Sequence, residues 1–320
     1  MAATALVCTS HSPLMSVREP GPGIRARVEA EFALVRDFIT DFAPDLVVLF
    51  APDHYNGIFY DMMPPYCIGS EAISVGDWGT AAGPLSVDTA MARHLTEAVL
   101  AANLDIALSM RLYVDHGFTQ PLELFFGGID TTAVVPVFIN SVAEPLGPPR
   151  RAKLLGAAIG NALLDSDRRV LYLASGGLSH DPPAPRIESA PPEVMHRLLG
   201  GGRRLTPEEK AERERRVLLA GEKFALGENN LQPLNPEWDR LVLNTLSAGD
   251  LRAIDTWTTE WFTVEGGHSA HETRTWIAAY AALAASGEYL ETSRFYEPIP
   301  EWIAGFGITT ALPTASFRHS

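Results

Sequence analysis

Apolar residues in the first half of the chain fall into two alternating patterns. Short unbroken runs at Ala5–Cys8, Leu46–Ala51, Val134–Ile139 and Val170–Ala174 predict buried strands, with a shorter one at Ile106–Leu108. Leu46–Ala51 has no polar interruption, as expected of a central strand covered on both faces. Between these runs apolar residues recur at helical spacing. Val28, Phe32, Val35, Ile39 and Phe42 predict a helix over Ile24–Phe42 that Pro44 stops, and Val87–Ala102 and Leu154–Leu164 predict two more. Pro136 inside the third run favours a strand edge or bulge. Alternating strand and helix implies an α/β fold, a layered α/β/α sandwich around a mixed central sheet. Beyond about residue 180 the chain reads as mostly helical, with helices over Glu208–Phe224, Asp239–Leu246 and Glu272–Ala285. There is no internal repeat or linker, so residues 1–320 are expected to form a single domain. The proline-rich stretch Pro182–Pro192 is the best candidate for a mobile loop, and the charged run Arg203–Arg216 reads as a solvated helix face.

Composition narrows the class. With 46% hydrophobic and 20% charged residues the 320-residue chain is an ordinary globular protein. Its net charge of −14 argues against nucleic acid or an anionic membrane as partner. No apolar run approaches the ~18 residues of a membrane span. The first residues lack a basic segment and read as a strand, not a signal peptide. The two cysteines, Cys8 and Cys67, fit buried free thiols in a reducing cytoplasm.

The histidines change the picture. Of nine, four follow a predicted strand directly or lie in the polar loop after one: His11, His54, His116 and His180. In open α/β sheets ligands bind beyond the carboxyl ends of the strands, so four imidazoles there would converge on one site. Two histidines and a carboxylate on one face of a metal leave positions open for substrate and O2, the arrangement of non-haem Fe(II) oxygen chemistry. His11 and His54 are plausible imidazole ligands, and Glu272, after the turn Gly266-Gly267-His268-Ser269-Ala270-His271, is the best carboxylate. His268 and His271 could suggest a zinc pair but lack the i, i+4 pairing and general-base glutamate of a zinc-protease helix. His94, His196 and His319 read as ordinary surface or tail residues. Nucleophile-elbow, Walker and dinucleotide motifs are absent.

At these residues the sequence resembles a known family. His11-Ser12-Pro13, Pro52-Asp53-His54, Asp115-His116-Gly117, Ser175-Gly176-Gly177-Leu178-Ser179-His180 and Glu272-Thr273-Arg274-Thr275-Trp276 occur in the order seen in type III extradiol ring-cleaving dioxygenases, the family of the protocatechuate 4,5-dioxygenase β subunit. Ala51–Gly57, Val114–Phe118, Leu234-Asn235-Pro236 and Pro298–Gly307 resemble its bacterial subgroup that acts on 2,3-dihydroxyphenylpropionate and 2,3-dihydroxycinnamate. The resemblance implies one catalytic domain in which His11, His54 and Glu272 bind Fe(II). His116 and His180 would be the acid–base residues, in an order the sequence leaves open. It also implies a small catechol and O2 as partners, aromatic catabolism in the cytoplasm, and a homo-oligomer; the Trp302–Phe306 segment could supply it an apolar contact, although these aromatics read first as core residues. A zinc-dependent hydrolase or lyase using the same ligands is the alternative. A substrate carboxylate would need an arginine fork; Arg186, Arg197, Arg274 and Arg294 are the candidates.

Overall fold

Leu46–Ala51 is buried at every position, which is what a strand covered by helices on both faces requires. The computed structural model describes residues 2–317. The strands are β1 (Ala3–Thr9), β2 (Leu46–Ala51), β3 (Tyr66–Gly69), β4 (Ala72–Val75), β5 (Ala82–Pro84), β6 (Ala107–Ser109), β7 (Leu112–Val114), β8 (Val134–Ile139), β9 (Arg169–Ser175), β10 (Tyr289–Ile299) and β11 (Ala304–Pro313). The helices are α1 (Ile24–Phe42), α2 (Thr89–Ala101), α3 (His116–Phe126), α4 (Arg150–Leu163), α5 (Pro192–Leu198), α6 (Pro207–Ala225), α7 (Pro236–Ser247), the single turn α8 (Thr259–Trp261) and α9 (Thr273–Ala284).

Eight strands form one mixed sheet in the order β10-β11-β1-β9-β2-β8-β3-β6, and β5-β4-β7 form a small second sheet. Strands β1, β9, β2 and β8 run parallel; β11 is antiparallel to β1, and β3 to β8. Successive side chains of a strand point to opposite faces. Val47, Leu49 and Ala51 therefore pack against α1 and α3, while Leu46, Val48 and Phe50 pack in the core built from α2, α4, α7 and α9. The layered α/β/α arrangement is the one the pattern predicts.

Three expectations are corrected. Pro136 lies on an inner strand and not at an edge. The amide of Val134, two residues earlier and so on the same side, donates to Ser86. Pro136 thus turns its missing N–H toward β3, whose ladder begins only at Ile68–Val137. The C-terminal region is not helical to its end, because β10 and β11 form a long hairpin that joins the main sheet beside β1. Trp302 and Phe306 are buried, in edge-to-face contact at 5.2 Å, so neither offers an apolar surface to another copy.

Helices α4 and α9 approach backbone to backbone. A Cβ on Gly156 would lie 1.9 Å from the Ala278 carbonyl oxygen, so no other residue fits there. This crossing seats α9 behind β9 and sets its first turn, with Glu272, at the carboxyl ends of the parallel strands.

Candidate metal centre and active site

Each of the three strands β1, β2 and β9 ends in a polar loop at the same edge of the sheet, and His11, His54 and His180 stand on these loops. His116 arrives from the small sheet: β7 ends at Val114, Asp115 caps α3 by accepting from the Gly117 amide at 2.9 Å, and His116 is the helix's first residue. Glu272 is the residue before α9 and is 1% exposed. The two glycines after β9 make room for it. A Cβ on Gly176 would come within 2.8 Å of the Glu272 Cβ, and the Gly177 amide donates to Glu272 Oε2 at 2.9 Å.

The five predicted site residues converge. Glu272 Oε1 lies 3.1 Å from His54 Nε2 and 3.1 Å from His180 Nε2, and Oε2 lies 3.7 Å from His11 Nε2. His116 stacks on His54 at 4.5 Å between ring centroids and meets His11 edge-on at 5.3 Å. The other ring nitrogens are tied outward. His54 Nδ1 donates to Asp115 at 3.0 Å, His116 Nδ1 donates to Asp77 at 2.6 Å, His180 Nδ1 donates to the Leu178 carbonyl at 3.1 Å, and His11 Nδ1 lies 2.9 Å from Ser175 Oγ. Such outer partners orient the rings and turn Nε2 of His11 and His54 toward the carboxylate.

The electrostatics follow from this packing. Burial pushes His11 down to about 3, only partly opposed by Glu272. Burial also works against charge on His54, but Asp115 and Glu272 on either side outweigh it and hold the imidazole well above its usual range. Glu272 is buried, yet His180 and His54 hold it well below the usual carboxylate range. A proton between two buried carboxylates occupies the place a cation would take. Two imidazole nitrogens and one carboxylate, facing each other and backed by hydrogen-bonded partners, form a donor set that fits a divalent transition metal. One ring nitrogen from each of His11, His54 and His116 also lies within 4.8 Å of the others. The nearby group Asp77, Asp115 and His116 satisfies the same distance, but its atoms are spent on hydrogen bonds within the network.

These groups form the floor of a cavity of about 360 Å³. Pro182–Pro185, from the stretch expected to be mobile, line one wall, so that stretch belongs to the site. Helix α6 lines another; Arg203–Arg216 is mostly exposed, as expected of a solvated face, with the half-buried Arg213 the main exception. Arg213 turns inward, donating to the His54 carbonyl at 2.6 Å and to Asn56 Oδ1 at 2.5 Å.

The profile of the family described as the catalytic LigB subunit of aromatic ring-opening dioxygenase matches residues 5–307. The chain belongs to this family. Its similarity to individual LigB-family members extends over nearly the whole length. It is 56% identical over 308 residues to the 2,3-dihydroxyphenylpropionate/2,3-dihydroxicinnamic acid 1,2-dioxygenase of Rhodococcus jostii, covering 96% of this chain and 98% of that one. Proteins of the same name from a Mycobacterium species (51% over 312 residues; 98% and 99% covered) and Paraburkholderia xenovorans (52% over 310 residues; 97% and 98% covered) are also similar. Among solved structures, the uncharacterized protein JW3007 from Escherichia coli K12 superposes with a TM-score of 0.51 over 95% of this chain and 98% of that one, at 14% identity, a likeness of fold alone. Membership of the LigB family implies a metal cofactor, a catechol and O2. No described helix is long and apolar enough to cross a membrane.

Several groups that support this site escaped the sequence reading. Asp77 sits in the turn after β4 and binds both the His116 amide, at 2.8 Å, and its ring. Asp239, on α7, accepts from the Ser179 amide and hydroxyl, both at 2.7 Å, and from the Tyr296 hydroxyl at 2.6 Å; burial raises it to about 6. Of the arginine candidates only Arg197 lines the cavity. Arg186 lines a neighbouring one; Arg274 is buried and donates to the Gly147 carbonyl; Arg294 pairs with Glu291 on β10. His268 binds Asp181 and His271 lies between Thr263 and Arg274, so they form no metal pair. His94 and His196 are exposed, and His319 lies outside the described residues.

Proposed function

We propose that the chain is an Fe(II)-dependent extradiol dioxygenase that opens the ring of 2,3-dihydroxyphenylpropionate and 2,3-dihydroxycinnamate, with His11, His54 and Glu272 as the iron ligands. The observation that carries this reading is the buried convergence of two imidazole Nε2 atoms on one carboxylate in the cavity of a LigB-family chain. Residues 1–320 act as one catalytic unit in the cytoplasm, a reading supported by the pairing of the first strand with the last in one sheet and by two buried free thiols. Assembly into a homo-oligomer is part of the same reading and rests on the family resemblance.

Fe(II) in this donor set would supply the positions at which the two catechol oxygens and O2 meet and exchange electrons. The protein supplies the proton movements. His180 gives its Nδ1–H to a backbone carbonyl, which leaves Nε2 as the atom that accepts a proton from the catechol hydroxyl. His116 gives its Nδ1–H to Asp77, which orients the ring, so Nε2 is the atom that delivers a proton to the departing oxygen. Ser179 is tied to Asp239 and holds the His180 loop in register, and Pro182–Pro185 wall one side of the cavity.

The test is reconstitution. Metal-stripped protein loaded with Fe(II) is expected to turn over 2,3-dihydroxyphenylpropionate in proportion to bound iron. Zn(II)-loaded protein of equal metal content should be inactive, and equal activity with zinc would overturn the reading.

A further inference from the structure

The cavity has a chemically mixed lining. The imidazoles and Glu272 contribute to it, and so do Arg197 on α5 and Arg213 and Arg216 on α6. Along α6 the lining residues are Arg213, Arg216, Val217 and Ala220, spaced three, four and seven apart, which places them on a single helix face. This face grades from cationic to apolar, and Gly221 packs on Leu14, three residues past His11. Arg213 is spent on the His54 loop. Arg197 is half-buried and makes no ion pair among the described residues; burial and then its neighbours Arg213 and Arg216 lower it. Arg216 is exposed at the mouth. Arg213 has Asp77, Asp115 and Asp53 near it and Arg216 has Glu212, whereas Arg197 has like charges as neighbours, a cost that a bound anion would remove.

We infer that Arg197, assisted by Arg216, holds the side-chain carboxylate of the catechol, and that the face between Leu14 and Val217 fits the apolar spacer that joins carboxylate to ring. The inference rests on the ring-cleavage reading for the identity of the ligand. It also accounts for how an anion enters a protein of net charge −14: the long-range field opposes the anion, and two local cations replace water around it at short range. Of the two, Arg197 is the main partner because its half-buried guanidinium is less screened and offers a planar fork to the two carboxylate oxygens.

The experiment compares kcat/KM for 2,3-dihydroxyphenylpropionate and 3-propylcatechol, which lacks the charge, in Fe(II)-loaded wild type, Arg197→Gln, Arg216→Gln and Arg197→Lys. The ratio between substrates is the readout. The wild type is expected to favour the carboxylate by about ten- to a hundredfold, the worth of a charge-assisted hydrogen bond. Arg197→Gln should erase most of that preference, Arg216→Gln should reduce it by about threefold as a screened contact does, and Arg197→Lys should keep part of it. Calorimetric binding of 3-phenylpropionate to the metal-free protein is the second readout and should weaken in the same order. A preference unchanged in Arg197→Gln, or 3-phenylpropionate bound equally by wild type and variant, overturns the inference. Failure of the wild type to cleave either catechol would instead count against the ring-cleavage reading, and the calorimetry would still judge the arginines.

Discussion

Replacing Asp77 by Asn should disable the enzyme without removing its metal. The two carboxylate oxygens of Asp77 do different work: Oδ1 accepts the backbone N–H of His116 at 2.8 Å, and Oδ2 accepts its ring Nδ1–H at 2.6 Å. An asparagine has one oxygen and one NH2. If the oxygen keeps the backbone N–H, the NH2 faces Nδ1, which must then become an acceptor and send the ring proton to Nε2. If the oxygen keeps the ring, the first amide of α3 faces a donor. The nearest substitute, Asp115 Oδ2, is 3.7 Å from Nδ1 and already binds His54 and Asn56. A wrong tautomer on a general acid–base histidine lowers turnover by about 10²–10⁴-fold, and one unsatisfied buried group costs about 1–3 kcal/mol of stability. The assay is kcat at saturating catechol, with metal content and melting temperature measured on the same preparation. A metal-replete, folded Asp77→Asn enzyme within threefold of wild-type kcat would refute the assignment of His116 as a positioned acid–base residue.

His54→Ala and Glu272→Ala should lose bound iron and activity together, whereas His116→Ala should keep its iron and lose turnover; metal analysis after desalting reads both, and loss of iron from His116→Ala would make it a ligand. Gly176→Ala should lose activity at a modest stability cost of about 1–3 kcal/mol, since its new Cβ would press on Glu272; unchanged metal affinity would show that the carboxylate is not held there. Asp239 supplies a pH signature. Its folded pKa of about 6 lies above its ordinary value, so the fold binds more protons than the unfolded chain, and its contribution is full below about pH 4 and lost as pH rises through 6. The stability of wild type relative to Asp239→Asn should therefore fall by about 2 kcal/mol between pH 4 and pH 7, measured by denaturant melts of both proteins; a constant difference would contradict the raised value.

The residues legible in the sequence are those placed by local rules. His11, His54 and His180 stand just past apolar runs, and a strand's end fixes where the next few residues lie, so their convergence follows from the parallel sheet. Glu272 was legible through the glycine turn before it, although the deeper reason, the space left by Gly176, is a contact between distant segments. Asp77 was not legible because it lies in a turn of the small sheet, and only the parallel pairing of β4 with β7 brings that turn beside His116. Helical spacing shows which residues of α6 share a face but not what that face meets, and so Arg213 passed for a solvated charge and the exposed Arg216 for one without a cavity beside it. The hairpin β10–β11 was hidden for a similar reason. Its first strand is only partly buried and carries Glu, Ser and Arg, so no apolar run marks it, and the pairing with β1 that defines it spans nearly the whole chain.

The central claim is that this site inserts both atoms of O2 into a catechol ring outside its two hydroxyl-bearing carbons. Single-turnover reaction of Fe(II)-loaded protein with 2,3-dihydroxyphenylpropionate under ¹⁸O2, followed by mass analysis of the rapidly quenched product, reads it directly. The account predicts one O2 consumed per catechol and a yellow extradiol ring-opened product carrying two heavy oxygen atoms. A product formed without label, or one opened between the two hydroxyl-bearing carbons, would contradict it.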